Sequence, residues 1–370
     1  MQRGDSIRVT HPQLGQQRLF SQRISQHRLA TPAEVVRWMG AMQAQDYAMV
    51  KWAVGVRLPH STDRGVETAV NKGEIIRTHL LRPTWHLVSA DDIYWLLDLT
   101  APRIKASLKT RHRELGLSEA VMKQCQTIIE NALSGGRHLT REALIAELQK
   151  ANIATDNNRA SHIFSRAELD SVICSGQVKG KKQTYALLEE WVPKTSPLPK
   201  EEALARLAKR YFTSHGPATL QDFAWWSGLT AGDARQALAS VQSDFVSETI
   251  DSQTYWFTNT STVQSGQESV YLLPAFDELI ISYKDRSASL PFENHNKAVS
   301  NNGMFWPIIV VNGHVTGTWK RTIKKDKVVV ETTYFNQPDK TTTNLVEKAA
   351  QPFGDFLEKK VEIDDTAVNH

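Results

Sequence analysis

Positive charge is the first chemically suggestive feature of the chain. Arg3, Arg8, Arg18, Arg23 and Arg28 crowd its start against one acid, Asp5. The stretch WKRTIKKDK (319–327) sets Lys320, Arg321, Lys324, Lys325 and Lys327 around Asp326. In a chain whose formal net charge is only +4, such blocks read either as local surfaces for an anion or as solvated faces. Other chemistry is sparse. The 2 cysteines, Cys125 and Cys174, cannot supply a thiolate metal cage. His-Glu-x-x-His, Cys-x-x-Cys, Gly-x-Gly-x-x-Gly and Gly-x-Ser-x-Gly do not occur. Gly176-x-x-x-Gly180-Lys181-Lys182 is a residue short of a phosphate loop and lacks its Ser or Thr. The expectation is therefore no metal and no nucleotide cofactor.

At roughly 150 residues per domain, 370 residues predict two or three domains. With 41% hydrophobic and 23% charged residues the chain can bury a core, which excludes a disordered protein. The start has no apolar stretch of signal-peptide length. Apolar runs such as 306–311 fall far short of the roughly 20 residues that span a bilayer. A soluble, cytoplasmic, monomeric protein is expected.

One rhythm of elements recurs. TREALIAELQKA, with Thr140 as N-cap, sets Leu144, Ile145 and Leu148 on one face. RASHIFSRAELDSVICSG keeps helical spacing through Ile173 and stops at Gly176. QVKGKKQTYALL then reads as two short strands around Gly180-Lys181-Lys182. Helix, turn, helix and a two-stranded wing make the winged-helix variant of helix-turn-helix. The order returns in PATLQDFAWWSG, LTAGDARQALASV and SETIDSQTYWFTN, with Thr230 as a cap. It returns more faintly in TPAEVVRWMGAM, RGVETAVNKGE and IIRTHLLRPTWHLVS, where Thr31 caps and Pro32 takes the first helical position.

The expected divisions are a basic N-terminal segment (1–30), a first winged-helix module with a helical extension (31–136), a second module (137–192), a proline-rich linker (193–201) and a third module (202–262). Beyond them VYLLPAF, ELIISYK, WPIIVVNG, HVTGTWKRTI and KVVVETTYF read as strands, with Asn312-Gly313 as a hairpin turn. These predict an antiparallel β-barrel over 263–360 and an exposed tail at 361–370. The fold class is α+β.

Four stretches carry the reading further: MGAMQAQD (39–46), RTHLLRPTWHLVSADD (77–92), LLPAFDELIISYKDR (272–286) and NGHVTGTWKR (312–321). In this order they resemble the AlkZ-like bacterial DNA glycosylases of the winged-helix DNA-binding superfamily, relatives of the YcaQ-like cross-link glycosylases. The resemblance implies three tandem winged helices closed into a C shape by the barrel. It implies monofunctional hydrolysis of N-glycosidic bonds in alkylated or cross-linked double-stranded DNA, without a cofactor.

The resemblance also assigns catalysis to a glutamine–apolar–glutamine triplet, here Gln43-Ala44-Gln45. Gln124-Cys125-Gln126 has the same form but lies inside a predicted helix. The implied chemistry is coherent. An alkylated purine is cationic and leaves readily, so the enzyme need only hold a water near C1′ and favour a cation-like sugar. Residues two apart share a side only in extended backbone, which predicts a strand-like triplet. Implied DNA contacts are Arg82, Trp85 and His86 on the first wing, Lys181 and Lys182 on the second, and Arg286, Trp319, Lys320 and Arg321 from the barrel. Asp277 and Glu278 should orient those cations. A nucleoid-associated place in the cytoplasm follows. The alternative is a non-catalytic winged-helix regulator that reads operator DNA.

Overall fold

The computed structural model describes residues 11–259 and 268–365. Arg3, Arg8, the first residues of the expected barrel (263–267) and the end of the expected tail (366–370) lie outside them. One order of elements occurs three times: a helix, a short strand or bridge, two helices and a hairpin. The first repeat has helices Pro32–Met39, Tyr47–Gly55 and Asp63–Asn71, with strands Met42–Gln43, Ile75–Leu80 and Thr84–Ser89. Thr31 caps the first helix by accepting from the Glu34 N–H, with Pro32 just inside, as the sequence predicts. The last strand lies between the other two, so Met42–Gln43 closes the hairpin's open side.

The second repeat begins earlier than expected. Helix Glu119–Leu133 buries Met122, Cys125 and Ile129 against Leu144 and Leu148 of helix Arg141–Lys150 and Phe164 of helix Arg159–Leu169. The last of these helices stops at Leu169, short of Gly176. Ser171 takes a left-handed φ of 59°, and Ile173–Ser175 becomes the first strand of the hairpin, paired with Thr184–Leu187. The third repeat has helices Lys200–His215, Leu220–Ser227 and Ala231–Val241 and strands Val246–Ile250 and Gln253–Phe257, with Ala218 bridging Trp256 in place of the short strand.

The C-terminal region is a curled five-strand half-barrel rather than a closed antiparallel barrel. Strands Val270–Leu273, Ile308–Val311, His314–Ile323 and Lys327–Tyr334 run antiparallel in sequence order. Asn312 and Gly313, at φ 50° and 84°, make the expected tight turn, which needs left-handed backbone at both positions. Lys360–Asp365 then pairs parallel to Lys327–Tyr334, so the expected tail is in part an edge strand. A parallel neighbour requires a crossover, and helix Lys340–Phe356 provides it. ELIISYK forms no strand. Asp277 accepts from the Leu279 N–H and starts the short helix Glu278–Ile281, whose four residues are all buried and show no alternation.

In the described part of the basic N-terminal segment, Arg18 and Arg23 are engaged with the protein and not free for an anion. Helix His11–Ser21 buries Leu14 and Leu19, and Arg18 is 1% exposed, over the Tyr283 ring with its Nε donating to Pro217 O. Arg23 stacks on Trp38.

Two shared cores fix the repeats. Val50 and Trp52 of the first repeat pack with Ile309, Trp319 and Phe353 of the C-terminal region. Leu80 and Leu81 of the first hairpin pack with Tyr211, Phe223 and Trp226 of the third repeat. Among the described residues no helix is long and apolar enough to cross a membrane.

Candidate active site

In the triplet Gln43-Ala44-Gln45, Gln43 ends a two-residue strand and Gln45 stands in a bend, so the strand-like backbone expected of all three is present only at its start. Gln43 pairs with His86 in the first sheet, and the Ala44 N–H donates to Trp85 O at 2.7 Å. Arg77, one strand further, donates to Ala44 O from Nε at 3.1 Å and Nη2 at 2.9 Å. The Gln43 N–H donates to Glu278 Oε1 at 2.6 Å, across 235 residues of chain. The strip is therefore held from two sides.

The glutamine side chains are oriented by donors. Gln43 is 6% exposed, and its Oε1 accepts from Arg82 Nη2 at 3.3 Å and Thr84 Oγ1 at 3.4 Å. Gln45 is exposed, and its Oε1 accepts from the Trp85 N–H at 3.0 Å. A guanidinium and a backbone amide only donate, so both bonded atoms are oxygens. For both glutamines the Nε2 has no protein partner among the described residues, and it can donate to a water or a sugar–phosphate oxygen.

Arg82 sits in the turn before Thr84–Ser89, where Leu81 has a φ of 55°. That turn packs on the end of helix Leu220–Ser227. Gly228, at φ 68°, comes so close that a Cβ there would stand 2.5 Å from Leu81 O. The contact brings in Trp225, which the sequence reading did not single out. Its ring is 42% exposed, its Nε1 donates to Ile281 O at 3.2 Å, and its carbonyl accepts from Arg82 Nη1 at 3.1 Å. Arg82 and Arg286 lie 5.7 and 5.6 Å from its ring centre, and Arg286 also lies 5.2 Å from that of Phe305. Burial lowers the pKa of both arginines, and the Arg82 charge lowers that of Arg286 further. Two partly desolvated cations around one ring are suited to a polyanion. The doublet Trp225-Trp226 carried the signal. Trp226 is fully buried, and its neighbour on a helix must point elsewhere.

The other expected residues divide. His86 lies beside Gln43 but is 1% exposed, its Nδ1 at 3.0 Å from Thr84 O. Burial, then the Arg82 charge, lowers its pKa to about 3. It is neutral and beneath the triplet, not a cationic DNA contact. Trp85 is half-buried between Arg77, 4.1 Å from its ring, and His79, at 4.0 Å. Trp319 is core, 1% exposed, with Nε1 donating to Leu273 O, so it cannot meet DNA. On the same strand Lys320 is exposed, and Arg321 Nη2 reaches to 3.6 Å from Asp46 Oδ2, beside Gln45. Lys181 and Lys182 are exposed at the second hairpin tip, and Lys182 pairs with Glu142, away from the triplet.

The acids do not orient these cations. Asp277 forms a fully buried pair with Arg57, at 2.9 and 3.0 Å. Glu278 takes the Gln43 N–H, accepts from Ser282 Oγ, and lies 3.7 Å from His215 Nε2. The contacts of Arg77 and Glu278 with the triplet were missed because only the tertiary fold makes them. The second triplet is structural: Cys125 is core, and Gln126 donates to Asp170.

Gln43, Gln45 and their neighbours make a polar strip between a repeat module and a half-barrel, rimmed by arginines and an exposed tryptophan. The comparisons give the chain an activity. The family model for AlkZ-like DNA glycosylases matches residues 36–356, and the chain belongs to that family. It is a DNA glycosylase, an enzyme of DNA repair whose partner is DNA, and the regulator alternative falls away. Among solved structures the chain is similar to the Streptomyces sahachiroi DNA glycosylase AlkZ, with a TM-score of 0.80 and 19% identity over 97% of this chain and 100% of that one. No curated protein matches.

Proposed function

We propose that the enzyme hydrolyses the N-glycosidic bond of N-alkylated purines in duplex DNA, bulky or cross-linked adducts included, with Gln43 and Gln45 holding the attacking water. The observation that supports this best is the fixed triplet: backbone bonds to Trp85, Arg77 and Glu278 hold it and leave two amide Nε2 groups unclaimed. Amides are poor bases, so the reaction draws on the leaving ability of a cationic base and on a positioned water. The cations nearest the triplet are guanidiniums, which form no Schiff base, in keeping with monofunctional hydrolysis.

In this reading the three repeats are winged helices and the enzyme acts as a monomer. Arg82, Trp85 and Arg286 border the lesion. Lys320 and Arg321 on the half-barrel, with Lys181 and Lys182 on the second hairpin, meet the phosphates.

The test is excision from a duplex carrying one N7-methylguanine, with abasic sites revealed by alkali. Wild type should cleave, and Gln43→Ala combined with Gln45→Ala should lose at least 100-fold (order of magnitude, about 3 kcal/mol) while retaining DNA binding. Excision by the double variant at the wild-type rate would overturn the role of the glutamines.

A further inference from the structure

Beneath the triplet lies a charge that hydrolysis as described leaves unused. Glu278 is 1% exposed. Burial alone would push its pKa up, but contacts with His215, Ser282 Oγ and the Gln43 N–H outweigh that and hold it at about 2. It is ionised at neutral pH. Its neighbour Asp277 has a buried arginine, Arg57, as counterion. Glu278 has only a histidine: among the described residues the one basic side chain within ion-pair distance is His215, at 3.7 Å, and burial lowers the pKa of that imidazole against the pull of Glu278 itself. The nearby Arg82 is committed to Gln43 Oε1 and Trp225 O. A buried carboxylate whose counter-charge is a weakly basic histidine rather than an arginine is costly to keep. It suits a site where a cation arises during the reaction.

We propose that Glu278 is the positioning residue of this site and the source of its negative field. It holds Gln43 by the backbone N–H, and its charge favours the cation-like sugar at C1′. The proposal rests on the reading that Gln43 and Gln45 border C1′. As the C1′–N bond breaks, its electron pair passes to the base, which becomes neutral, and C1′ becomes cationic. A lone pair of the water forms the C1′–O bond, and the water's proton is lost to solvent. Glu278, too acidic to take that proton and too buried to touch the sugar, forms no bond.

The test compares binding to two duplexes with one abasic analogue each: a pyrrolidine, whose ring nitrogen is protonated, or a neutral tetrahydrofuran. Wild type should prefer the cationic duplex. Glu278→Gln keeps an oxygen for the Gln43 N–H and removes the charge. It should lose that preference by on the order of tenfold and lower kcat for N7-methylguanine with KM little changed. A purely structural role would weaken both duplexes alike, so retention of the wild-type preference by the variant would overturn the proposal. Should Glu278→Gln not fold, Ser282→Ala decides. It strips one donor from a carboxylate that stays charged, and the preference should hold or grow; its loss would overturn the proposal. A wild type that excises but does not discriminate between the analogues overturns the field and leaves the glutamines standing. A wild type that does not excise overturns the reading underneath.

Discussion

Single residues in this site work through what their neighbours leave unsatisfied. His86 shows the consequence for stability. Its pKa falls from 6.5 to about 3 in the folded protein, so the unfolded chain binds its proton first. The stability this neutral imidazole contributes is complete above pH 6.5 and is lost as pH falls toward 3. Between pH 6.5 and 5 that amounts to about 2 kcal/mol. His86→Gln should therefore lower stability at pH 7.5 but show a shallower loss between pH 6.5 and 5, measured by urea unfolding at each pH. An unchanged slope would mean that His86 is protonated in the fold. Arg286 makes the opposite case, a partly buried charge that we propose meets the DNA. Arg286→Ala should weaken binding to every duplex sequence alike and reduce the salt slope by about one, as read from log Kd against log salt. Arg77 and Glu278 lie in stretches read as motifs, but their contacts with the triplet were not legible there: one reaches it from across a sheet, the other from 235 residues away.

Elements were legible where local chemistry decides them. Thr31, Thr140 and Thr230 cap the helices they were expected to cap, and Asn312-Gly313 turns the hairpin it was expected to turn. The short strand Met42–Gln43 that opens the triplet follows from register with Thr84–Ser89. What failed was decided by packing. Ile173–Ser175 left its helix to pair with Thr184–Leu187, and Leu279–Ile281 became a buried helical turn because Asp277 capped it. The parallel strand Lys360–Asp365 depends on a crossover helix that no short-range signal announces. The contact between the first hairpin and the third repeat is likewise tertiary, and Gly228 is where it can be broken. Alanine there needs left-handed backbone and drives its Cβ to 2.5 Å from Leu81 O. Gly228→Ala should cost about 1–3 kcal/mol in thermal unfolding. It should also part Arg82 from Trp225, slowing excision more than a comparable destabilisation elsewhere.

At the scale of the whole molecule, the site exists only because distant parts of the chain share one buried polar network. Arg57, 0% exposed, donates to Ala53 O in the helix just before it, to Gln22 O and Oε1 after the N-terminal helix, and to both oxygens of Asp277. Gln22 Nε2 donates to Tyr283 OH, which donates to His215 O in the third repeat. One guanidinium thus ties the first repeat to the N-terminal helix and to the residue before Glu278, and through Tyr283 to the third repeat. A buried pair like this contributes modestly against an apolar replacement, but breaking one side strands the other charge. Arg57→Met should therefore destabilise by about 3–5 kcal/mol and lower excision with it, since Asp277 would pull the Glu278 segment toward water and away from Gln43. Adding Asp277→Leu removes the stranded charge and should recover much of the lost stability. It should recover less of the activity, because the start of helix Glu278–Ile281 loses its Asp277 cap. Chemical denaturation and excision rates on the two variants separate these effects. If the double variant is no more stable than Arg57→Met, the coupling runs through Gln22 rather than through the ion pair.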